Sequence, residues 1–221
     1  MKGQVVREKI INAVEKEKII TIVRGIEREK LIPLAEAMYA GGIRLLEITY
    51  DAKGLVSDEE TARNIEMLRE HFEERMYIGA GTVLTEKQVE LTQTAGGSFI
   101  ISPDTYAAVI EKTCMLDMVS MPGALTPTEI QAAFRHGADF VKLFPVTSLG
   151  VDYVKAVRAP LSQIKLLAVG GINENNMSDY LKAGITGFGI GSNIVDRNLI
   201  MAGDFGKIVA LAEKYTRMIE K

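Results

Sequence analysis

The chain has 221 residues, with 26 Lys and Arg against 29 Asp and Glu and a formal net charge of −3. That near-balance argues against nucleic acid as a partner, which usually needs a basic surface, and the length is natural for one domain spanning 1–221. The only cysteine, Cys114, excludes an internal disulfide and fits a reducing, cytoplasmic setting, while two histidines, His71 and His136, are too few for a His-built metal centre and leave only a carboxylate-built Mg²⁺ site open. Along the chain, the first segment carries Val6, Ile10, Ile11 and Val14 at helical spacing. It predicts a helix over 1–17 that caps the bottom of the fold, and it lacks the apolar run of a secretory signal. No window reaches the roughly 18 unbroken apolar residues of a membrane span.

Short runs rich in Ile, Val and Phe then recur at 19–23, 45–49, 77–80, 99–102, 118–121, 140–144, 166–169 and 188–190, and predict strands. Between them, helical periodicity marks 29–40, 58–72, 86–95, 105–114, 127–136, 152–157 and 175–183, with a last helix over 205–218. Leu31, Leu34, Ala35 and Met38 form one apolar face, and Ile65, Leu68 and Phe72 another. Gly41-Gly42, Gly96-Gly97, Gly137 and Gly184 read as helix stops placed before strands. Ser57, Thr85, Thr126 and Asn173 read as N-caps, Thr126 in capping-box spacing with Glu129. Both histidines lie by helix ends and read as solvated surface residues. Strand–helix alternation implies a parallel sheet with right-handed crossovers. Eight such units without a break in composition favour a closed (β/α)8, or TIM, barrel over an open doubly wound sheet.

In such a barrel, reactive groups sit at the C-terminal ends of the strands. The odd residue there is Lys142, which by period-two alternation shares a face with Phe140 and Phe144. An amine held among rings is desolvated, so its pKa falls and more of it is the free nucleophile that a Schiff base requires. Glu47 is the second oddity. It shares the inward face with Leu45 and Thr49, where a carboxylate can move protons for that amine. A buried structural Lys–Glu ion pair is the other reading of the same two residues. Two glycine-rich turns, at Gly170-Gly171 and Gly191-Ser192, follow the last two strands, where barrels commonly bind phosphate through backbone N–H groups.

These blocks occur in the order of a known family: GAGTV at Gly79–Val83, Ser102-Pro103, MPGALTPTE at Met121–Glu129, VKLFP at Val141–Pro145, GGI at Gly170–Ile172 and IGS at Ile190–Ser192. Over nearly its full length the chain resembles the class I 2-keto-3-deoxy-6-phosphogluconate (KDPG) and 4-hydroxy-2-oxoglutarate (KHG) aldolases. The resemblance implies a homotrimeric barrel enzyme free of metal and cofactor, releasing pyruvate and glyceraldehyde 3-phosphate from a phosphorylated keto acid. It implies Lys142 as the Schiff-base lysine and Glu47 as the general acid/base. Thr82 and Pro103 would lie beside pyruvate, Phe144 near the imine, and Gly170, Gly171, Gly191 and Ser192 around phosphate. Many members carry Arg where Asp51 stands here, so Arg24 becomes the candidate partner of the substrate carboxylate. VRGI and AVGG are similar to the 2-keto-3-deoxy-6-phosphogalactonate aldolase branch, whereas LEIT and MPG lean to the KDPG/KHG side. A phosphosugar isomerase or epimerase, and a non-catalytic phosphometabolite-binding barrel, are the competing readings.

Overall fold

The computed structural model describes residues 2–219, so Met1 of the predicted N-terminal helix lies outside the described residues. In chain order the elements are α1 (Lys2–Glu17), β1 (Ile19–Val23), α2 (Arg28–Ala40), β2 (Leu45–Thr49), α3 (Asp58–Phe72), β3 (Tyr77–Gly81), α4 (Glu86–Thr94), β4 (Phe99–Ile101) and α5 (Ala107–Met115). They continue with β5 (Val119–Met121), β6 (Gly123–Ala124), α6 (Pro127–Arg135), β7 (Val141–Leu143), a 3-10 turn (Val146–Ser148), α7 (Gly150–Arg158), β8 (Leu166–Val169), α8 (Met177–Lys182), β9 (Gly187–Ile190), α9 (Arg197–Ala202) and α10 (Phe205–Thr216).

All the pairings are parallel, in the order β5-β4-β3-β2-β1-β9-β8-β7-β6. The two ends of that order, β5 and β6, are separated in sequence only by Pro122. β5 is the predicted fifth strand, and β6 continues it beyond the predicted end at 121; through this continuation the sheet closes as a TIM-type barrel. Proline has no N–H to give a ladder, which is why the strand breaks there. Its carbonyl still accepts from Lys142 N at 2.8 Å, and Ser120 O accepts from Asp139 N at 3.0 Å, so the seam beside β7 stays stitched.

Strand alternation divides the apolar side chains into two shells. Ile20, Leu45, Phe99, Ile101, Val119, Met121, Phe140 and Leu167 fill the inside, where Ile10 and Val14 of α1 join them. A larger shell between strands and helices takes Leu46 and Ile48 from β2, with the predicted helix faces of Leu31, Leu34, Ala35, Met38, Ile65, Leu68 and Phe72. Val6, assigned from spacing to the buried face of α1, points outward and is 52% exposed.

The four predicted glycine stops share one geometry. In each, the residue after the positive-φ glycine donates its N–H to a carbonyl five residues back: Ile43 to Met38, Gly97 to Thr92, Ala138 to Ala133 and Ile185 to Tyr180. Ser57, Thr85 and Thr126 cap their helices, the last as a full capping box. The N-cap expected at Asn173 is a correction. α8 starts only at Met177, because Asn173 Oδ1 accepts from Asn175 N at 2.9 Å and turns the chain instead. α9 was not anticipated; Asp196 starts it by accepting from Asn198 N and Leu199 N, and Gly203 ends it. His71 and His136 are both partly exposed and lie beside Glu36 and Glu111, at 2.6 and 2.8 Å. Among the described residues no helix is long and apolar enough to cross a membrane, and no group of three or more His, Cys, Asp or Glu side chains is placed to hold a metal ion.

Candidate active site

Glu47 and Lys142 lie on strands that face each other across the barrel. Going round from β2 to β7, one passes β1, β9 and β8 on one side, and β3, β4 and the divided β5/β6 strand on the other. Each follows an apolar inward residue by two positions, Leu45 before Glu47 and Phe140 before Lys142, so alternation carries both side chains inward. Glu47 is 2% exposed and Lys142 7% exposed. Burial is the main cause that raises the Glu47 pKa above its ordinary value, opposed by the charges of Lys142 and Arg24. Burial likewise lowers Lys142, helped by Arg24 and opposed by Glu47. The two groups act on each other through space, without a hydrogen bond among those causes. The Lys142 Nζ lies 5.0 Å from the centre of the Phe144 ring. Phe140, expected to share that role, packs lower in the barrel, where Lys165 rather than Lys142 approaches its ring.

The GAGTV block has a packing reason. A Cβ on Gly79 would fall 2.3 Å from the Phe99 ring, and a Cβ on Gly81 would fall 1.6 Å from Glu47 Oε1. The Glu47 carboxyl therefore rests on the bare backbone of the neighbouring strand, where β2 and β3 pair Thr49 with Gly81. Thr82, the next residue, sits at φ 55, a left-handed conformation that a β-branched side chain rarely adopts. It accepts a hydrogen bond from Arg24 Nη2 at 3.2 Å. Strain of this kind typically costs on the order of 1–3 kcal/mol and clusters at functional sites.

Arg24 leaves the end of β1 and lines a cavity of about 590 Å³ with Ile22, Gly191, Ser192 and residues of the turn into α9. Asp51 takes no part in it. Its carboxylate accepts N–H groups of Lys53, Leu55 and Val56 at 3.0, 2.8 and 3.2 Å, which holds its pKa down and shapes the loop before α3. Pro103 packs its carbonyl against Gly123, the residue paired with Lys142 in the barrel ladder. Gly170 lies against the Phe144 ring and Gly171 against Thr147. The structure thus brings Glu47, Lys142, Phe144, Arg24 and Thr82 into one chain of contacts and fields, with the Gly170-Gly171 and Gly191-Ser192 turns at its rim. Thr49 is buried at the same strand end. Thr147, Asn193 and Arg197, the last lining the same cavity as Arg24, escaped the sequence reading; Asn193 directly follows Gly191-Ser192, whereas Thr147 meets Gly171 only through the fold.

The sequence profile of the family described as "KDPG and KHG aldolase" matches residues 10–211. A probable 2-dehydro-3-deoxy-6-phosphogalactonate aldolase of Rhizobium meliloti (strain 1021) is 37% identical over 187 residues, 84% of this chain and 85% of that one. A 2-dehydro-3-deoxy-phosphogluconate aldolase of Treponema pallidum (strain Nichols) is 32% identical over 211 residues, 95% of this chain and 97% of that one. Among solved structures, KDPG aldolase from Legionella pneumophila, with pyruvate captured as a covalent carbinolamine intermediate, superposes with a TM-score of 0.82 at 28% identity, covering 96% of this chain and 97% of that one. With a profile match across almost the whole barrel and relatives of this identity over most of their length, the chain belongs to the KDPG and KHG aldolase family and is an aldehyde-lyase.

Proposed function

We propose that the protein is a Schiff-base aldolase that cleaves 2-keto-3-deoxy-6-phosphogluconate to pyruvate and glyceraldehyde 3-phosphate. The observation that carries this reading is a buried amine, shifted towards its neutral form, facing a buried carboxyl across the barrel. The neutral Lys142 amine attacks the C2 ketone, and loss of water from the carbinolamine gives a protonated imine. Glu47 takes the proton of the C4 hydroxyl while the C3–C4 bond breaks and its electron pair flows into the imine, leaving an enamine. Glu47 returns a proton to C3, and water releases pyruvate and the free lysine. The covalent carbinolamine in the Legionella relative supports the first step.

The glycine turns at Gly170-Gly171 and Gly191-Ser192 would take the phosphate, and Arg24 the carboxylate, with Thr49, Thr82, Pro103 and Phe144 around the pyruvate portion. A homotrimeric state and a cytoplasmic location belong to the same reading. The galactonate epimer is the second reading, favoured by the 37% identity to the Rhizobium protein and by the local likeness of VRGI and AVGG. A coupled pyruvate-release assay on the two epimers and KHG, side by side, tests both. Release from the gluconate epimer at the highest kcat/KM is expected; preference for the galactonate epimer selects the second reading. A sugar phosphate interconverted without pyruvate release would mean an isomerase instead.

A further inference from the structure

The turn after β8 is gripped from outside by side chains. Three consecutive carbonyls accept side-chain donors: Gly170 O from Thr147 Oγ1 at 2.9 Å, Gly171 O from Asn176 Nδ2 at 2.9 Å, and Ile172 O from Asn193 Nδ2 at 2.7 Å. In a trans peptide the N–H points away from the C=O it shares a plane with. Tying these carbonyls into the protein therefore aims the N–H groups of Gly171 and Ile172 the opposite way. Among the described residues neither of those two N–H groups has an acceptor within the chain, whereas the next, Asn173 N, is taken by Asn176 Oδ1 at 2.9 Å. In the turn after β9, the N–H groups of Gly191, Ser192 and Asn193 also lack acceptors among the described residues.

Asn193 belongs to one turn and grips the other, so it fixes the spacing between the two sets of free donors. Thr147 holds the first turn in contact as well as by its hydrogen bond, since a Cβ on Gly171 would fall 2.3 Å from its hydroxyl oxygen. Free N–H groups on two adjoining turns suit an anion with several acceptor oxygens, and holding them in place beforehand avoids the cost of ordering them on binding.

We propose that Thr147 and Asn193 are positioning residues that lock the two turns into one preformed phosphate cradle, so that these two side chains set how strongly a phosphorylated keto acid is favoured over an unphosphorylated one such as KHG. This rests on the reading that a phosphorylated substrate is cleaved at Lys142. The test compares Thr147→Val, which keeps the shape and loses the hydroxyl, with Thr147→Ser, which keeps the hydroxyl, and adds Asn193→Ala.

Thr147→Val and Asn193→Ala should raise KM for the phosphorylated substrate and Ki for inorganic phosphate by about tenfold, the equivalent of one hydrogen bond. Their kcat should change little, and Thr147→Ser should behave as the unsubstituted protein. The ratio of kcat/KM for the phosphorylated substrate over KHG should fall by a similar factor. An unchanged KM, or a loss shared equally by both substrates, would overturn the proposal.

Should the protein release pyruvate from no substrate, the aldolase reading fails on its own, and an NMR titration with inorganic phosphate still decides this one. Shifts of the Gly171 and Ile172 amides that weaken in Thr147→Val sustain the cradle. Amides that ignore phosphate overturn it.

Discussion

At the N-terminal end of the barrel the inward side chains are Ile20, Leu45, Phe99, Phe140 and Leu167, met from below by Ile10 and Val14. Two residues further along the same strands, the inward positions after Leu45 and Phe140 are Glu47 and Lys142. The lower end gains stability from every group it buries. The upper end buries a carboxyl and an amine that desolvation drives towards their neutral forms, which costs stability and, in the proposed mechanism, readies them for proton and imine chemistry. One strand thus serves both ends because its pleat returns to the same face every second residue. The separation between holding the fold together and doing chemistry is a single step of that repeat.

Four substitutions sharpen this contrast. The largest effect is expected from Glu47→Gln, which keeps shape and removes the base: kcat should fall roughly 10²–10⁴-fold while the protein stays folded. Intact turnover would remove Glu47 from the proton-transfer role. At the other end, Phe140→Ala should lower unfolding free energy by about 3–5 kcal/mol in a denaturant titration, with the kcat of the remaining folded protein little changed. A drop in kcat matching that of Glu47→Gln would erase the division between the ends.

Gly81→Ala should reproduce much of the Glu47 defect with the carboxylate still present, because the added Cβ would occupy the space of Oε1. Kinetics like those of the unsubstituted enzyme would show that the carboxyl need not rest there. The smallest effect is a gain. Lys142→Met should raise stability by about 0.5–2 kcal/mol, the usual size of a stabilising substitution, because it replaces a buried ionisable amine with an apolar side chain.

The pH dependence gives that gain a sign. Lys142 has a folded pKa below its ordinary 10.5, so the unfolded chain binds its proton first, and stability of the unsubstituted protein falls as pH drops from 10.5 to the depressed value. The advantage of Lys142→Met should therefore grow on going down through that window. For Glu47 the folded pKa lies above 4.5, so its contribution is lost as pH rises from 4.5 to the raised value, and the advantage of Glu47→Gln should grow upward. Parallel rather than opposite slopes in pH-dependent melting curves would contradict the burial assigned to the two groups.

Much of this was legible in the sequence because the cues are local. Strands 19–23, 45–49 and 166–169 and the helix over 58–72 carry the predicted bounds, since apolar runs, a Ser57 cap and acidic first-turn residues are properties of neighbouring positions. The oddity of Lys142 and Glu47 was visible for the same reason. Pro122 dividing the fifth strand was hidden, because the run 118–121 looks complete without knowing that β6 must reach across to β7. Asn173 misled because an asparagine that caps a helix and one that turns a loop have the same sequence signature. The contact of Glu47 with Gly81 needed the register of two strands, and the grip of Asn193 on Ile172 needed two turns brought together by barrel closure. Asp51 was conspicuous as a substitution in the family pattern, but only the structure shows its charge spent on the loop before α3.

In the proposed mechanism Lys142 is the covalent centre. Incubating the folded protein with pyruvate and borohydride, then mapping the added mass by peptide, tests it most directly. The reduced pyruvate adduct is expected on the peptide containing Lys142, and its loss in Lys142→Met is expected with it. An adduct on another lysine, or none in folded protein, would contradict the claim.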